Sequence, residues 1–415
     1  WFRIFVVIIL VNLGIAQTEP EFGQIWHQSD QNPVYTVYPE AGTWNCGGIN
    51  WDTYGKAMWD GENYRIYDAH QGSAPDELIS IGMYLSADLE SGWTANTSNP
   101  VFEPDPSGWD SKIVGNPMVI KDGEVFKMWY SGSDGVTWNL GYAESPDGIT
   151  WNRHPDPILN TNPGIEWEAW GPGQPYVLKN TDNTYTMWYS GWGTGGTGPL
   201  IGRAHSSDGI DWVRDLNNPV LVPGFPEEGG WVGFPVINQI DDHFLMWFTI
   251  SHSESTTAQM RTAISSDGVN WRQDELYNPV LTQGTTGSWN DVGVYCNGVF
   301  QMDGVTKMIY TAIENSWSCT PFGVATYSPT IIAAGDVSGT WTKAGSPIRV
   351  QGEITIPNGE TLTIEAGTTV EFINPAPLNV QGQILAVGSE EDRIRFRVDD
   401  TLGFYDDAAV EGVWG

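Results

Sequence analysis

The sequence predicts an all-β protein: a five-bladed β-propeller closed by its own N-terminal strand, followed by the opening of a second β domain. Three observations predict it. A hairpin motif recurs as Ser145-Pro-Asp-Gly-Ile-Thr-Trp151, Ser206-Ser-Asp-Gly-Ile-Asp-Trp212 and Ser265-Ser-Asp-Gly-Val-Asn-Trp271, its Asp-Gly pairs 61 and 59 residues apart. An apolar motif recurs upstream as Met128-Trp-Tyr130, Met187-Trp-Tyr189, Met246-Trp-Phe248 and Met308-Ile-Tyr310, at intervals of 59, 59 and 62. A tryptophan followed by Asn-Pro or Asp-Pro ends every unit but the last.

Asp-Gly between two apolar runs marks a hairpin turn, because glycine accepts positive φ without steric cost. A weaker copy of the hairpin, Ser86 to Trp93, and Arg65-Ile-Tyr67 place a first unit ahead of the clear ones. Polar turns precede each aromatic strand: Asp60-Gly61, Lys121-Asp-Gly123, Asn180 to Asn183, Asp241-Asp242 and Asp303-Gly304. Each unit therefore reads as strand, turn, aromatic strand, loop, strand, Asp-Gly turn, strand, which is the grammar of a propeller blade. The endings are Asn99-Pro-Val101, Asp156-Pro-Ile158, Asn218-Pro-Val220 and Asn278-Pro-Val280, and proline suits an outer edge where no N–H is needed. The fifth unit runs from Gly323 through Ser328 into Pro329 without such an ending, and the missing piece stands at the other end of the chain as Trp26 with Asn32-Pro-Val34. The N-terminal strand is expected to complete the last blade and remove the open edge.

Residues 2–16 join a basic residue, an apolar run and small residues, the pattern of an export signal cleaved near Ala16. No other segment is apolar enough to span a bilayer, and the propeller is expected over 17–334 in a secreted or cell-surface protein. With Cys46, Cys296 and Cys319, an exported chain can form one disulfide: Cys46 with Cys296 or Cys319 across the seam, or Cys296 with Cys319 within the last blade. Over 335–415 apolar alternation is punctuated by glycines, as in Ile356-Pro-Asn-Gly359, Thr361 to Gly367 and Leu378-Asn-Val-Gln-Gly382. That run resembles the first coils of right-handed parallel β-helices of large secreted bacterial proteins, here stopping in mid-pattern at Trp414-Gly415.

Acids outnumber bases 51 to 18, a net charge of -33, so nucleic acid and anionic lipid surfaces are excluded as partners. The charge reads either as solubility or as cation binding, with Ca²⁺ the candidate ion. The absence of an Asp-rich loop with calcium spacing favours solubility, and no metal-ligand set is expected.

The Met-Trp-Tyr strands and Ser-x-Asp-Gly-x-x-Trp hairpins over residues 26–330 resemble the five-bladed propellers of the arabinanase, β-xylosidase, invertase and levansucrase group of glycoside hydrolases. The resemblance implies a polysaccharide partner at one mouth of the central channel, where carboxylates of the innermost strands converge. Such hydrolysis needs two carboxyl groups, one giving a proton and one attacking or activating water. The group carries Asp-Pro, or a similarly placed Glu, at the start of the inner strand. The corresponding positions here are Asn116-Pro117, Gln174-Pro175, Phe234-Pro235 and Cys296-Asn297.

Nearby acids are the candidates instead: Asp52 as base or nucleophile, Glu168 as acid, and Asp110 or Asp291 as tuner and sugar anchor. Asp110 and Glu168 recur in register after Trp109 and Trp167, so they read equally as turn carboxylates that tie a loop down. Asp52 and Asp291 break the repeat. Asn116, Gln174, Trp51, Trp109, Trp167, Trp231 and Trp289 are the candidate sugar contacts, since sugar C–H faces stack on indole rings. His70, His205 and His252 are expected on or near loops that could face the channel. An enzyme and a non-catalytic glycan-binding or adhesion module both fit this pattern. A sialidase-like Asp-box propeller fits less well, because its hairpin is one residue longer between Asp and Gly.

Overall fold

The computed structural model describes residues 26–37, 54–72, 78–194, 198–224, 230–240, 243–251, 258–273, 278–302, 305–313, 320–327, 329–372, 376–389 and 392–398. Over these residues the protein is all-β apart from two short 3₁₀ turns. Internal contacts divide it into a body spanning Gln28–Thr326 and a second that joins the segment ending at His27 to the residues from Tyr327 onward.

The first body is a run of antiparallel sheets. Sheet one holds Ala57–Trp59, Tyr64–Gln71, Ile79–Ser86 and Thr94–Ala95. Sheet two holds Ile113–Asp122, Val125–Ser133, Trp138–Ser145 and Asn152–Arg153. Sheet three holds Gly171–Lys179, Tyr185–Trp192, Leu200–Ser206 and Trp212–Arg214. Sheet four holds Trp231–Ile240, His243–Ser251, Ala258–Ser265 and Arg272–Gln273. Sheet five holds Gly293–Met302, Val305–Ile313 and Thr320–Tyr327. Its outer strand comes from the N-terminal segment, where Tyr35 pairs with Phe322 and Val37 with Thr320. Asn32 clasps the same strand: its Oδ1 accepts from the Val324 N–H and its Nδ2 donates to the Val324 carbonyl, both at 2.8 Å. Asn99, Asn218 and Asn278 clasp Met83, Arg203 and Thr262 in the same way. The repeated Asn-Pro ending thus acts through its asparagine, whose amide imitates a peptide group on the edge strand.

The Asp-Gly hairpins do more than turn the chain. In sheet two the Ile149 and Thr150 N–H groups donate to Asp147, and Gly148 sits at φ 76°, where a Cβ would be strained. Gly148 also offers its carbonyl to the Tyr67 hydroxyl of sheet one at 3.0 Å. Trp129 and Trp188 likewise donate from their indoles to the Gly209 and Gly268 carbonyls of the following sheets, at 2.8 and 2.9 Å. The aromatic strand of one sheet is therefore pinned to the hairpin of the next.

Burial follows the same order. Tyr67 and Met83 pack with Met128 and Tyr130, Trp129 lies with Tyr185 and Met187, and Trp188 with Ile237 and Met246. Ile309, Phe322 and Val324 pack against Ile66 and Tyr84, which brings sheet five back to sheet one. Each fully buried aromatic of this kind contributes about 2 to 3 kcal/mol relative to exposure. Hydrogen bonds between sheets follow: the Lys56 N–H donates to the Pro117 carbonyl, and the side-chain Nδ2 of Asn297 donates to the Gly55 carbonyl at 2.6 Å.

In the second body three parallel ladders build a separate core. Ile348 lies opposite Val370, Ile354 opposite Leu378 and Leu362 opposite Ile384. Their inward apolar side chains close around Trp341 and Phe372. Cys296 is a buried free thiol, so neither pairing expected of it forms; Cys46 and Cys319 lie outside the described residues. The sheet-five interior that encloses Cys296 is held by packing and hydrogen bonds instead.

Candidate functional site

The loops that enter the inner strands of sheets two, three and five share one construction. Trp109, Trp167 and Trp289 lie against Tyr130, Tyr189 and Tyr310, each with ring centroids 5.9 Å apart. The next residue turns inward. Asp110 accepts from the Tyr130 hydroxyl at 2.9 Å and pairs with Arg153. Glu168 accepts from the Tyr189 hydroxyl at 2.8 Å and pairs with Arg214 at 2.6 Å. Both acids are fully buried. Burial raises the pKa of Glu168, and Arg214 and Tyr189 oppose that rise. The two arginines come from equivalent places, two residues beyond the hairpin tryptophans Trp151 and Trp212. Sheet five has the neutral form of the same cluster: Asn290 in the place of the acid, and Gln28 beside the Tyr310 hydroxyl at 3.2 Å in the place of the arginine. In sheets two and three the loop is thus tied to a tyrosine and an outer-strand arginine rather than to backbone N–H groups.

The structure does not bring Asp110 and Glu168 together; each has its own arginine. Asp291 lies at a loop position where it accepts from the Gly287 N–H at 2.7 Å. Trp51 and Asp52, with His252, lie outside the described residues. Asn116 and Gln174 sit at the bulge that breaks the inner-strand register, with φ of 46° and 53°. Phe234 holds the same place in sheet four, at 58°. A non-glycine residue there costs about 1 kcal/mol. Neighbouring sheets stabilise it: the Gln174 N–H donates to Ser131 Oγ at 3.0 Å, and Gln174 Oε1 accepts from the Phe234 N–H at 3.3 Å. Trp231 packs beside Phe234, with ring centroids 6.0 Å apart.

A polar cluster that the sequence reading passed over lies in sheet one. Asp68 accepts from the Gly55 N–H at 3.0 Å and lies 3.4 Å from His70 Nε2, which is 3.1 Å from the Tyr84 hydroxyl. Lys56 reaches into sheet five, where its Nζ donates to the Cys296 carbonyl at 3.1 Å. All of these groups are buried. Burial raises the Asp68 carboxyl to about 7, lowers His70 to about 3 and lowers Lys56 to about 8. His70 and His205 are each the penultimate residue of a strand, next to a loop; His70 is buried, and His205 pairs with Asp215 at 2.9 Å. A signal for the cluster was present in the repeat. Asp68 follows the aromatic of its strand where the other sheets carry Ser131, Ser190, Thr249 and Thr311. By strand register Lys56 stands where they carry Pro117, Pro175, Pro235 and Asn297. A carboxyl that titrates near neutrality can give or hold a proton at physiological pH.

The cluster predicts a pH signature. Asp68, raised in the folded state, makes stability fall as pH rises from about 4 to 7; His70, lowered, makes it rise as pH climbs from about 3 to 6.5. The two oppose each other over most of that window, while Lys56 acts only above it. Asp68→Asn removes one arm, so acidification from pH 6.5 to 4.5 should destabilise the variant relative to wild type by about 1 kcal/mol per pH unit. Urea midpoints across this range check it; parallel curves would contradict the assignment.

Among the described residues no three His, Cys, Asp or Glu side chains converge as a metal site, and no helix is long and apolar enough to cross a membrane.

A sequence profile of glycoside hydrolase family 130, described as β-1,4-mannooligosaccharide phosphorylase, matches residues 109–274, which run from sheet two to sheet four. The chain is 31% identical over 115 residues to a β-1,2-mannobiose phosphorylase of Thermoanaerobacter sp. (strain X514), which covers 24% of this chain and 37% of that protein. One solved structure is described as belonging to the GH130 family of mannoside phosphorylases, with glycoside hydrolases that target β-1,2-mannosidic linkages in Candida mannan. It superposes with a TM-score of 0.57 at 15% identity, over 76% of this chain and 97% of that one. A β-1,2-mannobiose phosphorylase from Listeria innocua in complex with β-1,2-mannobiose superposes with a TM-score of 0.54 at 13% identity, over 72% and 96%. The chain thus has the propeller fold of glycoside hydrolases.

Proposed function

We propose that this protein is an exported, five-bladed propeller that takes a β-linked mannoside glycan at the mouth of its central channel. The observation that carries the reading is the match of residues 109–274 to the mannooligosaccharide phosphorylase family, over the sheets whose loops hold Asp110 and Glu168. The cyclic packing of the five sheets supports the blade count, and the parallel ladders after Tyr327 support a β-helix that follows. The acidic surface suits a neutral sugar. It opposes phosphate, and Arg153, Arg203 and Arg214 are each committed to a carboxylate. Phosphorolysis is therefore disfavoured against hydrolysis or binding. In the hydrolytic form Asp52 is the base or nucleophile and Glu168 the acid, with Asp291 and Asp110 as sugar anchors. Ca²⁺ remains the candidate ion for the acid excess.

The experiment is incubation of the protein with β-1,2- and β-1,4-mannobiose and their longer oligomers, with and without phosphate. The expected result is mannose release, or binding alone, that is indifferent to phosphate. Mannose 1-phosphate would overturn the phosphate argument, and neither binding nor turnover on any mannoside would overturn the substrate class. A non-catalytic glycan-binding module is the second reading. It is favoured by the full burial of Asp110 and Glu168 and by the arginine each carboxylate is paired with.

A further inference from the structure

Nearly every tryptophan in the described sheets has a visible structural task. Trp129, Trp188, Trp212 and Trp271 donate to hairpin carbonyls, and Trp109, Trp167 and Trp289 lie against tyrosines. Trp138, Trp170 and Trp192 have none. Among the described residues their indoles make no hydrogen bond and no ring contact, and their N–H groups are not buried. Trp170 is 58% exposed, and the other two are half-buried.

These three residues are brought together by the backbone. The Trp170 N–H donates to the Trp192 carbonyl at 2.8 Å, and the Trp138 N–H to the Trp170 carbonyl at 3.4 Å. Gly171, at φ 133°, makes the approach possible: a Cβ there would stand 2.2 Å from the Trp138 carbonyl oxygen. Gly173 leaves the Trp192 indole nitrogen 3.6 Å from where its own Cβ would be. Exposed tryptophan is costly to leave in water, so a group of them held by glycines at the junction of sheets two and three has the composition of a binding platform.

We propose that Trp138, Trp170 and Trp192 form an aromatic platform that stacks the pyranose rings of a neutral oligosaccharide. This rests on the glycan reading above and locates where the sugar chain lies. The chemistry selects that ligand class. Indole faces accept the C–H faces of sugars, unpartnered indole N–H groups donate to hydroxyls, and the same loops carry the exposed carboxylates of Asp134 and Glu166 as hydroxyl acceptors. A net charge of -33 repels anionic chains.

The test is calorimetric titration of the full chain with β-1,2- and β-1,4-mannooligosaccharides, and with polygalacturonate as an anionic control. Trp170→Ala and Trp192→Ala are compared with Trp59→Ala, another exposed indole that packs on Tyr64 in sheet one. Trp170→Phe keeps a ring should the alanine variant fold poorly. The expected result is at least a tenfold loss of affinity in Trp170→Ala and Trp192→Ala, a smaller loss in Trp170→Phe, and none in Trp59→Ala. Wild-type affinity in both alanine variants, with the wild type binding, overturns the platform and leaves the glycan reading standing. A wild type that binds no mannoside overturns both, and tighter binding of polygalacturonate overturns the ligand class.

Discussion

Glu168→Ala is expected to destabilise the protein by about 3 kcal/mol, because removing one partner of a buried pair strands the other. Glu168 is fully buried between the Tyr189 hydroxyl and Arg214, whose side chain is 22% exposed. The partial exposure of Arg214 places the cost at the lower end of the usual range. The protein itself supplies the rescue. Sheet five carries no charge at the equivalent places, with Asn290 at the position of the acid and Gln28 accepting from the Tyr310 hydroxyl. Glu168→Asn combined with Arg214→Gln should therefore recover to within about 1 kcal/mol of wild type, a coupling that single substitutions cannot show. Urea denaturation of the singles and the double measures it, and a double variant no more stable than Glu168→Ala would refute the transfer between sheets. The same double variant bears on catalysis. If it folds normally and mannoside turnover disappears, Glu168 is an acid as well as a tie.

Asn32→Ala is expected to cost about 2 kcal/mol and to open the last sheet locally. The Asn32 Oδ1 is the acceptor for the Val324 N–H, which left unpaired costs about 1 to 3 kcal/mol less whatever water recovers, and its Nδ2 shares the Val324 carbonyl with the Ser29 N–H. Asn218→Ala breaks the same clasp on Arg203, but there the outer strand is continuous with its own sheet. At Asn32 the clasp holds a segment that reaches sheet five from the far end of the chain, so its loss frees the edge that Ser29 and Val34 otherwise cover through Val324 and Phe322. Amide hydrogen exchange separates the cases. Protection at Phe322 and Val324 should fall by at least tenfold in Asn32→Ala, while Asn218→Ala leaves protection at Ile201 and Arg203 closer to wild type. Equal losses in the two variants would show that the seam is no weaker than any other edge.

The architecture was legible because it rests on periodicity. Copies of one motif about sixty residues apart must bury equivalent faces, and Asp-Gly, Met-Trp-Tyr and Asn-Pro each stand where a local backbone need is strict. The fastening segment was legible for the same reason: Asn32-Pro33 is the ending that Gly323 to Tyr327 lacks. The ladders after Tyr327 were announced by glycine-punctuated apolar alternation. The site was far less legible. Trp109, Trp167 and Trp289 were set apart as sugar contacts by their aromatic character, and the fold places them against tyrosines. Trp138 and Trp192 carried no signal, since exposure depends on which neighbours the sheets bring near.

Local pattern alone determined the all-β class, the repeating unit and the origin of the closing strand, because these follow from short-range backbone preferences and the alternation of apolar faces. Tertiary structure alone decided which acids lie buried against arginines, that Asp68 and His70 are buried side by side while Lys56 is buried against sheet five, and which tryptophans remain open to a ligand. Burial and pairing arise between residues that are distant in the chain, and those long-range contacts set both the charge state and the availability of a side chain.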